Sequence, residues 1–250
     1  MEESAQRSGE GGWGAARADL EAGAPQWAVE QLVGPAAVLH RLGIPARPRR
    51  LLRWCEAVTP ALVLGSAEPD AHVDRPAAAR AGLGIARRRS GGSSVLVGPG
   101  RVAWLDVVVP AGDPLWDADV GVAPLWLGRA WAAALADLGV DNPSVHCGPM
   151  ERAPWSDWVC FAGTAPGEVR VRQGKVVGIS QRRARAGALF QCGALLRWRA
   201  DEAIAPLALD RAAAAVALEG AAIGIVDLVG GVGRRDLRAA VERRVAEAAV

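Results

Sequence analysis

Two short runs of alternating apolar and polar residues, Glu168 to Arg172 and Lys175 to Ile179, flank Gln173-Gly174. Alternation is the period of a half-buried strand, and a two-residue gap holding a glycine suits a tight hairpin turn. The pattern predicts a β-hairpin with Lys175 opening its second strand. On a period of two, Lys175, Val177, Ile179 and Gln181 share one face, and Val176, Gly178 and Ser180 the other. Ala188 to Trp198, with Cys192 inside it, reads as a further strand, as do Val95 to Val97 and Val102 to Val109.

Upstream, Leu51 to Cys55 and Ala61 to Leu64 lie on either side of Thr59-Pro60 and predict a strand pair. Helical spacing of apolar residues predicts helix from Asp19 to Leu42, divided at Pro35, and a second amphipathic helix from Pro124 to Leu138 with its tryptophans in the core. Asp74 to Gly82 reads as a short helix with Asp74 as N-cap and Pro76 in its first turn. Ala212 to Val229 reads as buried helix and strand, and Leu237, Val241 and Val245 mark one face of a last helix. Residues 1–16, rich in Gly, Ser and Glu, read as a disordered lead, and 17–250 as a single domain with a helical tail. At 51% hydrophobic residues, 250 residues can build one substantial core.

Charge excludes more than it suggests. The formal net charge is +2, and the arginines occur as scattered pairs, which is no footprint for nucleic acid or a membrane surface. Cys55, Cys147, Cys160 and Cys192 lie far apart without a C-x-x-C pair, so neither a zinc site nor a disulfide framework is expected. The amino terminus lacks a basic stretch followed by an apolar core, and the expected setting is the cytoplasm.

Chemistry concentrates in two segments. Lys175 is the only lysine among 29 basic side chains, so a plain positive charge elsewhere in this chain is an arginine. Lysine differs from arginine in being a compact ammonium on a thin stem, able to enter a narrow pocket beside a carbonyl or phosphate oxygen. A surface lysine left at a hairpin is the plainer alternative. The second segment is Arg87-Arg88-Arg89-Ser90-Gly91-Gly92-Ser93-Ser94. Its glycines leave backbone N–H groups open to a carbonyl-bearing or anionic ligand, although a glycine turn with a solvated basic flank reads equally from the residues. Gly230-Gly231-Val232-Gly233 is not expected to be a dinucleotide loop, since the residues that follow it are too few for the rest of a βαβ unit.

Taken in order, Arg88-Arg89-Ser90-Gly91-Gly92 and Gly174-Lys175-Val176-Val177-Gly178-Ile179-Ser180-Gln181-Arg182 resemble the R-R-x-G-G and G-[RK]-K-x-x-G-x-[AS]-Q segments of the lipoate and octanoate protein ligase and transferase family. The resemblance runs from about Leu51 to Leu209. It implies the α/β (α+β) fold shared with biotin protein ligases, a mixed, largely antiparallel sheet flanked by helices. It also implies acylation of one lysine on lipoyl carrier domains, such as the E2 subunits of 2-oxoacid dehydrogenases and the glycine cleavage H protein. Lys175 would contact the acyl carbonyl. Arg89, Gly91, Gly92, Ser93 and Ser94 would form the loop over the acyl group or acyl-adenylate, with Gly178 and Ser180 beside it. Departures from the family pattern are Ser93 and Ser94, where many members have glycine and alanine, and Cys192, near the place of a histidine.

Amide formation from a carboxylate needs an activated acyl group. The resemblance leaves two routes: ligation of lipoate through acyl-AMP, with ATP and Mg²⁺, or transfer of octanoyl from acyl carrier protein through a thioester on Cys160, with no cofactor. Cys160 stands 15 residues before Lys175, a placement similar to the nucleophile of the octanoyltransferase branch. A catalytically silent member that only binds acyl groups or carriers is the third expectation. Asp106 and Asp157 lie near these motifs as candidate bases for the incoming amine.

Overall fold

A computed structural model describes residues 27–248, so the expected lead and the first part of the expected first helix lie outside the described residues. In chain order the elements begin with β1 (Ala28–Gly34), α1 (Ala36–Leu39), β2 (Leu51–Ala57), β3 (Ala61–Leu64), α2 (Arg75–Arg80) and β4 (Gly84–Arg87). They continue with β5 (Val95–Val97), β6 (Val102–Pro110), α3 (Leu125–Asp137), β7 (Ser144–Val145) and β8 (Val169–Val171). After the long strands β9 (Gly174–Ala184) and β10 (Gly187–Leu195), the chain closes with α4 (Ala200–Ile204), α5 (Arg211–Leu218), α6 (Ile225–Leu228) and α7 (Arg234–Glu247).

A seven-stranded sheet in the order β1-β2-β6-β10-β9-β8-β7 is antiparallel except for its β1–β2 edge. Helices α3 and α7 cover one face, burying Leu127, Trp131, Leu135, Leu237, Val241 and Val245 against Trp54, Leu105, Val107 and Phe190. Trp131 meets Trp54 edge to face with ring centroids 6.3 Å apart, so the α3 tryptophan is core, as its helical spacing predicts. Across the other face lies a three-stranded sheet, β4-β3-β5, whose Val63 and Val97 pack with Leu39, Trp104, Phe161 and Leu195. The space between these two sheets holds the candidate site.

Four expectations need correction. Ala28–Gly34 is a strand, not helix, because its backbone pairs in parallel with β2 from Leu51 to Ala57, and that ladder outweighs local helical spacing. Pro35 then ends the strand and leads into α1. Leu51–Ala57 and Ala61–Leu64 are both strands but enter different sheets, β2 beside β6 and β3 between β4 and β5. The strand expected within Ala212 to Val229 is absent: that stretch holds α5 and α6, and its backbone meets β9 only as the isolated Lys175–Ala222 bridge.

The fourth concerns the hairpin. Val171 pairs with Gly174, so the turn is Arg172-Gln173, with Arg172 at φ 56, one residue earlier than expected. The register then shifts, Arg170 pairing with Lys175 but Val169 with Val177, which leaves Val176 as an extra residue. Such a bulge flips the alternation beyond it. Lys175 therefore reaches the same neighbours as Gly178, namely Glu168 and Phe161, instead of sharing a face with Val177 and Ile179.

Candidate functional site

Between β4 and β5 the chain makes the turn Ser90 to Ser94, and Arg88 ties it down. The Arg88 guanidinium is buried and donates to the Gly91 carbonyl (2.8 Å), the Ser93 carbonyl (2.9 Å) and the Val63 carbonyl (3.4 Å). Gly92, at φ +93, lies so close to Arg88 that a Cβ would sit 2.7 Å from Nη2. On the other side the loop meets Gly65, where a Cβ would fall 1.6 Å from the Gly92 carbonyl oxygen. Both serines serve the loop's own structure: Ser93 Oγ donates to the Ser156 carbonyl and Ser94 Oγ to Glu68 Oε1, each at 2.7 Å. Arg89, by contrast, is exposed and lines neither cavity described below.

Cys160 is held against this loop by backbone. Its N–H donates to the Ser94 carbonyl (2.9 Å), and Sγ lies 3.7 Å from the place a Gly92 Cβ would occupy. Its carbonyl accepts from Lys175 Nζ at 2.6 Å. Lys175 is 2% exposed, and its Nζ also donates to Glu168 Oε2 (2.8 Å) and stands 5.0 Å over the Phe161 ring. Glu168 is itself fixed by two backbone donors, Ala165 N–H (2.7 Å) and Ile179 N–H (3.1 Å). The lone lysine is therefore a buried ion pair, not a leftover at the surface.

Two cavities meet here. One is an open cleft of about 570 Å³, reached by Gly91, Gly92, Ser93, Cys160, Glu168 and Lys175 among others. The other is a smaller slot between the sheets, walled by Val95, Val97, Val102, Trp104, Phe161 and Gly178. Cys160, Ile179 and Ser180 line both and form the neck. An acyl chain laid in the apolar slot would bring its carbonyl to the neck, beside a thiol and an ammonium.

Behind the slot runs a buried polar chain. Ser90 Oγ donates to Gln191 Oε1 (2.8 Å), which leaves Ser180 Oγ as the donor in its 2.9 Å bond to Ser90. Gln191 Nε2 donates to Asp106 Oδ1 (3.2 Å), which also accepts from Trp104 Nε1 (2.7 Å). Burial pushes the Asp106 carboxyl up to about 6 despite these two donors. His40 stacks on Trp104 at 4.0 Å, and burial, then the Arg88 charge, lower its imidazole to about 3. Asp106 is thus sealed behind the slot, whereas Asp157 lies on the cleft in an ion pair with Arg152. Burial also pushes the Cys192 thiol well above its ordinary value.

The structure thus brings together Cys160, Lys175, Gly91, Gly92, Ser93, Gly178 and Ser180, and leaves Arg89 outside. Ser94 backs the loop from below. Sequence reasoning missed Arg88 as the loop's anchor, Glu168 as the lysine's partner, and the Ser90-Gln191-Asp106 chain. A signal existed for Asp106 and Gln191, which are lone polar residues inside apolar strand runs and need buried partners.

Comparison with known proteins bears on the fold and the family. Among solved structures, a bipartite lipoate protein ligase from Thermoplasma acidophilum, described with its E2 lipoyl domain, is similar at a TM-score of 0.67 and 19% identity, covering 88% of this chain and 82% of that one. Lipoate-protein ligase A bound with ATP gives 0.65 and 18%, covering 88% and 84%. A T. acidophilum protein with bound lipoic acid gives 0.64 and 18%, covering 84% and 76%. At such identities the likeness shows the fold. None of the curated proteins matches the chain. Residues 36–205, which carry the loop, Cys160 and the strand of Lys175, match the family model described as the lipoyl protein ligase A/B catalytic domain, and with more than half of its length so matched the chain belongs to that family.

Proposed function

We propose that the protein transfers an octanoyl or lipoyl group to a lysine of a lipoyl carrier domain through a thioester on Cys160. The observation that carries this reading is the position of Cys160 at the neck, lining both the slot and the cleft, with Lys175 Nζ bonded to its carbonyl. The slot would take the alkyl chain by apolar burial, at about 0.8 kcal/mol per buried CH₂. The Cys160 thiolate attacks the carbonyl of an acyl-carrier-protein thioester, and the Lys175 ammonium stabilises the oxyanion of the tetrahedral intermediate. That intermediate breaks its C–S bond to the carrier, and the departing carrier sulfur takes up the proton that the Cys160 thiol released. The amine of the lipoyl-domain lysine, entering through the cleft, then attacks the Cys160 thioester and releases the thiol. Removing one oxyanion donor of this kind lowers kcat by about 10²–10³.

The charges of the cleft favour this route. Its lining cations are already matched, Lys175 with Glu168 and Arg152 with Asp157, and the His72 ring is bonded to Glu68. A triphosphate with Mg²⁺ would meet carboxylates as readily as cations there, so these residues fit a nucleotide poorly. The volume of the cleft, larger than a carrier lysine needs, favours a second reading, ligation of lipoate through acyl-AMP.

The test is the intact mass of the protein after exposure to octanoyl-acyl carrier protein. A hydroxylamine-labile octanoyl adduct, absent in Cys160→Ser, is the expected result. No adduct, together with AMP formed from lipoate, ATP and an apo carrier, would overturn the thioester in favour of the ligase. Binding of acyl groups with no transfer by either route would mean a silent member.

A further inference from the structure

Lys175 carries a hazard on the thioester reading. Its side chain meets Cys160 through the 2.6 Å bond to that residue's carbonyl, and both line the cleft. An acyl group on Cys160 Sγ would therefore have Lys175 as its nearest amine. Lys175 is also the only lysine of the chain. A neutral amine there would attack the thioester carbonyl: the N–C bond forms, the C–S bond breaks, the amine proton passes to the departing sulfur, and a stable amide caps Lys175 with the thiol regenerated. That product has no route back to a thioester and would block the site. An ammonium has no lone pair and cannot make this attack, yet it still stabilises an oxyanion.

We propose that Glu168 is the positioning residue that prevents self-acylation, by holding Lys175 as an ammonium turned toward the Cys160 carbonyl; this rests on the thioester reading above. The geometry is built for that task. The pair is buried at the wall of the cleft, with side chains 2% and 5% exposed, so little water reaches it to replace the carboxylate as counter-charge. Glu168 cannot swing away, because Ala165 N–H and Ile179 N–H grip both of its oxygens. Replacing it by a neutral group would leave an ammonium buried without a partner, and a group so placed gives up its proton. The Phe161 face, 5.0 Å away, and one carbonyl are weak substitutes for a carboxylate.

The experiment compares the full chain with Glu168→Gln, which keeps the side chain's shape and an acceptor for one of the two backbone donors. Each is incubated with octanoyl-acyl carrier protein, treated with hydroxylamine, and mapped by peptide mass. Wild type should lose all of its octanoyl adduct. Glu168→Gln should retain most of it, as an amide on Lys175, with loss of transfer that deepens with each turnover. The hydroxylamine-resistant amide on Lys175 is a result that a merely structural role of Glu168 does not produce. Should Glu168→Gln fail to fold, Glu168→Asp is read in the same way, since shortening the side chain draws the carboxylate off Nζ. A folded Glu168 variant whose adduct is wholly labile would overturn the proposal. If neither wild type nor variant forms any adduct, it is the thioester reading that fails.

Discussion

Gly65→Ala is the sharpest structural probe of the site, because it touches neither substrate nor the reacting residues. A Cβ at Gly65 would lie 1.6 Å from the Gly92 carbonyl oxygen, and Cβ atoms essentially never approach within 3.0 Å, so one segment must yield by at least about 1.4 Å. Gly65 is pinned: its N–H donates to Glu68 Oε2 (3.0 Å), its carbonyl accepts from Arg87 Nη1 (2.6 Å), and the next residue, Ser66, donates to the Ser90 carbonyl (3.0 Å). The loop is pinned as well, through Arg88, so the displacement reaches Gly92 and with it the wall against which Cys160 Sγ rests. A misplacement of about 1 Å at reacting atoms lowers rates by about 10². Gly65→Ala should therefore transfer octanoyl to a lipoyl domain about 100-fold more slowly, while unfolding cooperatively by circular dichroism. Forming the Cys160 adduct is the step to time, by quenched-flow mass spectrometry. Wild-type adduct formation in a folded Gly65→Ala protein would refute the claim that this loop sets the position of the thiol.

Other perturbations read the buried charges. Lys175→Ala should abolish transfer and also lower stability by about 3–5 kcal/mol in urea unfolding, because Glu168 is left buried without its cation; full activity would sink the assignment of the site. Asp106 is raised from 3.8 to about 6, so the folded state binds the extra proton and stability is greatest below the unfolded value. It then falls by about 2 kcal/mol as pH rises from 4 to 6, and Asp106→Asn should remove that part of the pH dependence. His40, lowered to about 3, has the opposite sign: its contribution is complete above 6.5 and is lost as pH falls toward 3, and His40→Gln should flatten that loss. Urea midpoints of the two variants across pH 4–7 should diverge from wild type in opposite directions, and parallel curves would contradict both.

Much of this was legible in the sequence where one residue type carries one physical meaning. Asp74 caps α2 by accepting from Ala77 N–H at 2.9 Å, as an aspartate before Arg75-Pro76 should. Leu237, Val241 and Val245 are buried in α7 as their spacing requires. The two motif segments meet in space although some eighty residues separate them. What failed was non-local. Nothing within Ala28–Gly34 says that a parallel partner lies twenty residues on, and nothing at Thr59-Pro60 says that the flanking strands part into different sheets. Arg88 and Arg89 are indistinguishable as letters, and only the fold decides that the first turns inward to hold the loop and the second faces solvent.

The same reasoning explains why the lysine itself was found while its setting was not. Strict alternation would put Lys175 with Val177 and Ile179, whose side chains belong to the apolar core under α3 and α7, and an ammonium there would have no partner. The extra residue Val176 is what turns Lys175 to the opposite side, where Glu168, one residue before β8, receives it. A bulge costs local pairing and leaves no mark in a hydrophobicity pattern. Its benefit is visible only from the site: the one position in β9 that steps out of period is the one that delivers a charge to the neck between slot and cleft. Restoring the period by deleting Val176 should therefore abolish transfer, because it returns Lys175 to the core face, and retained activity in a folded deletion protein would show that the bulge does not place the lysine.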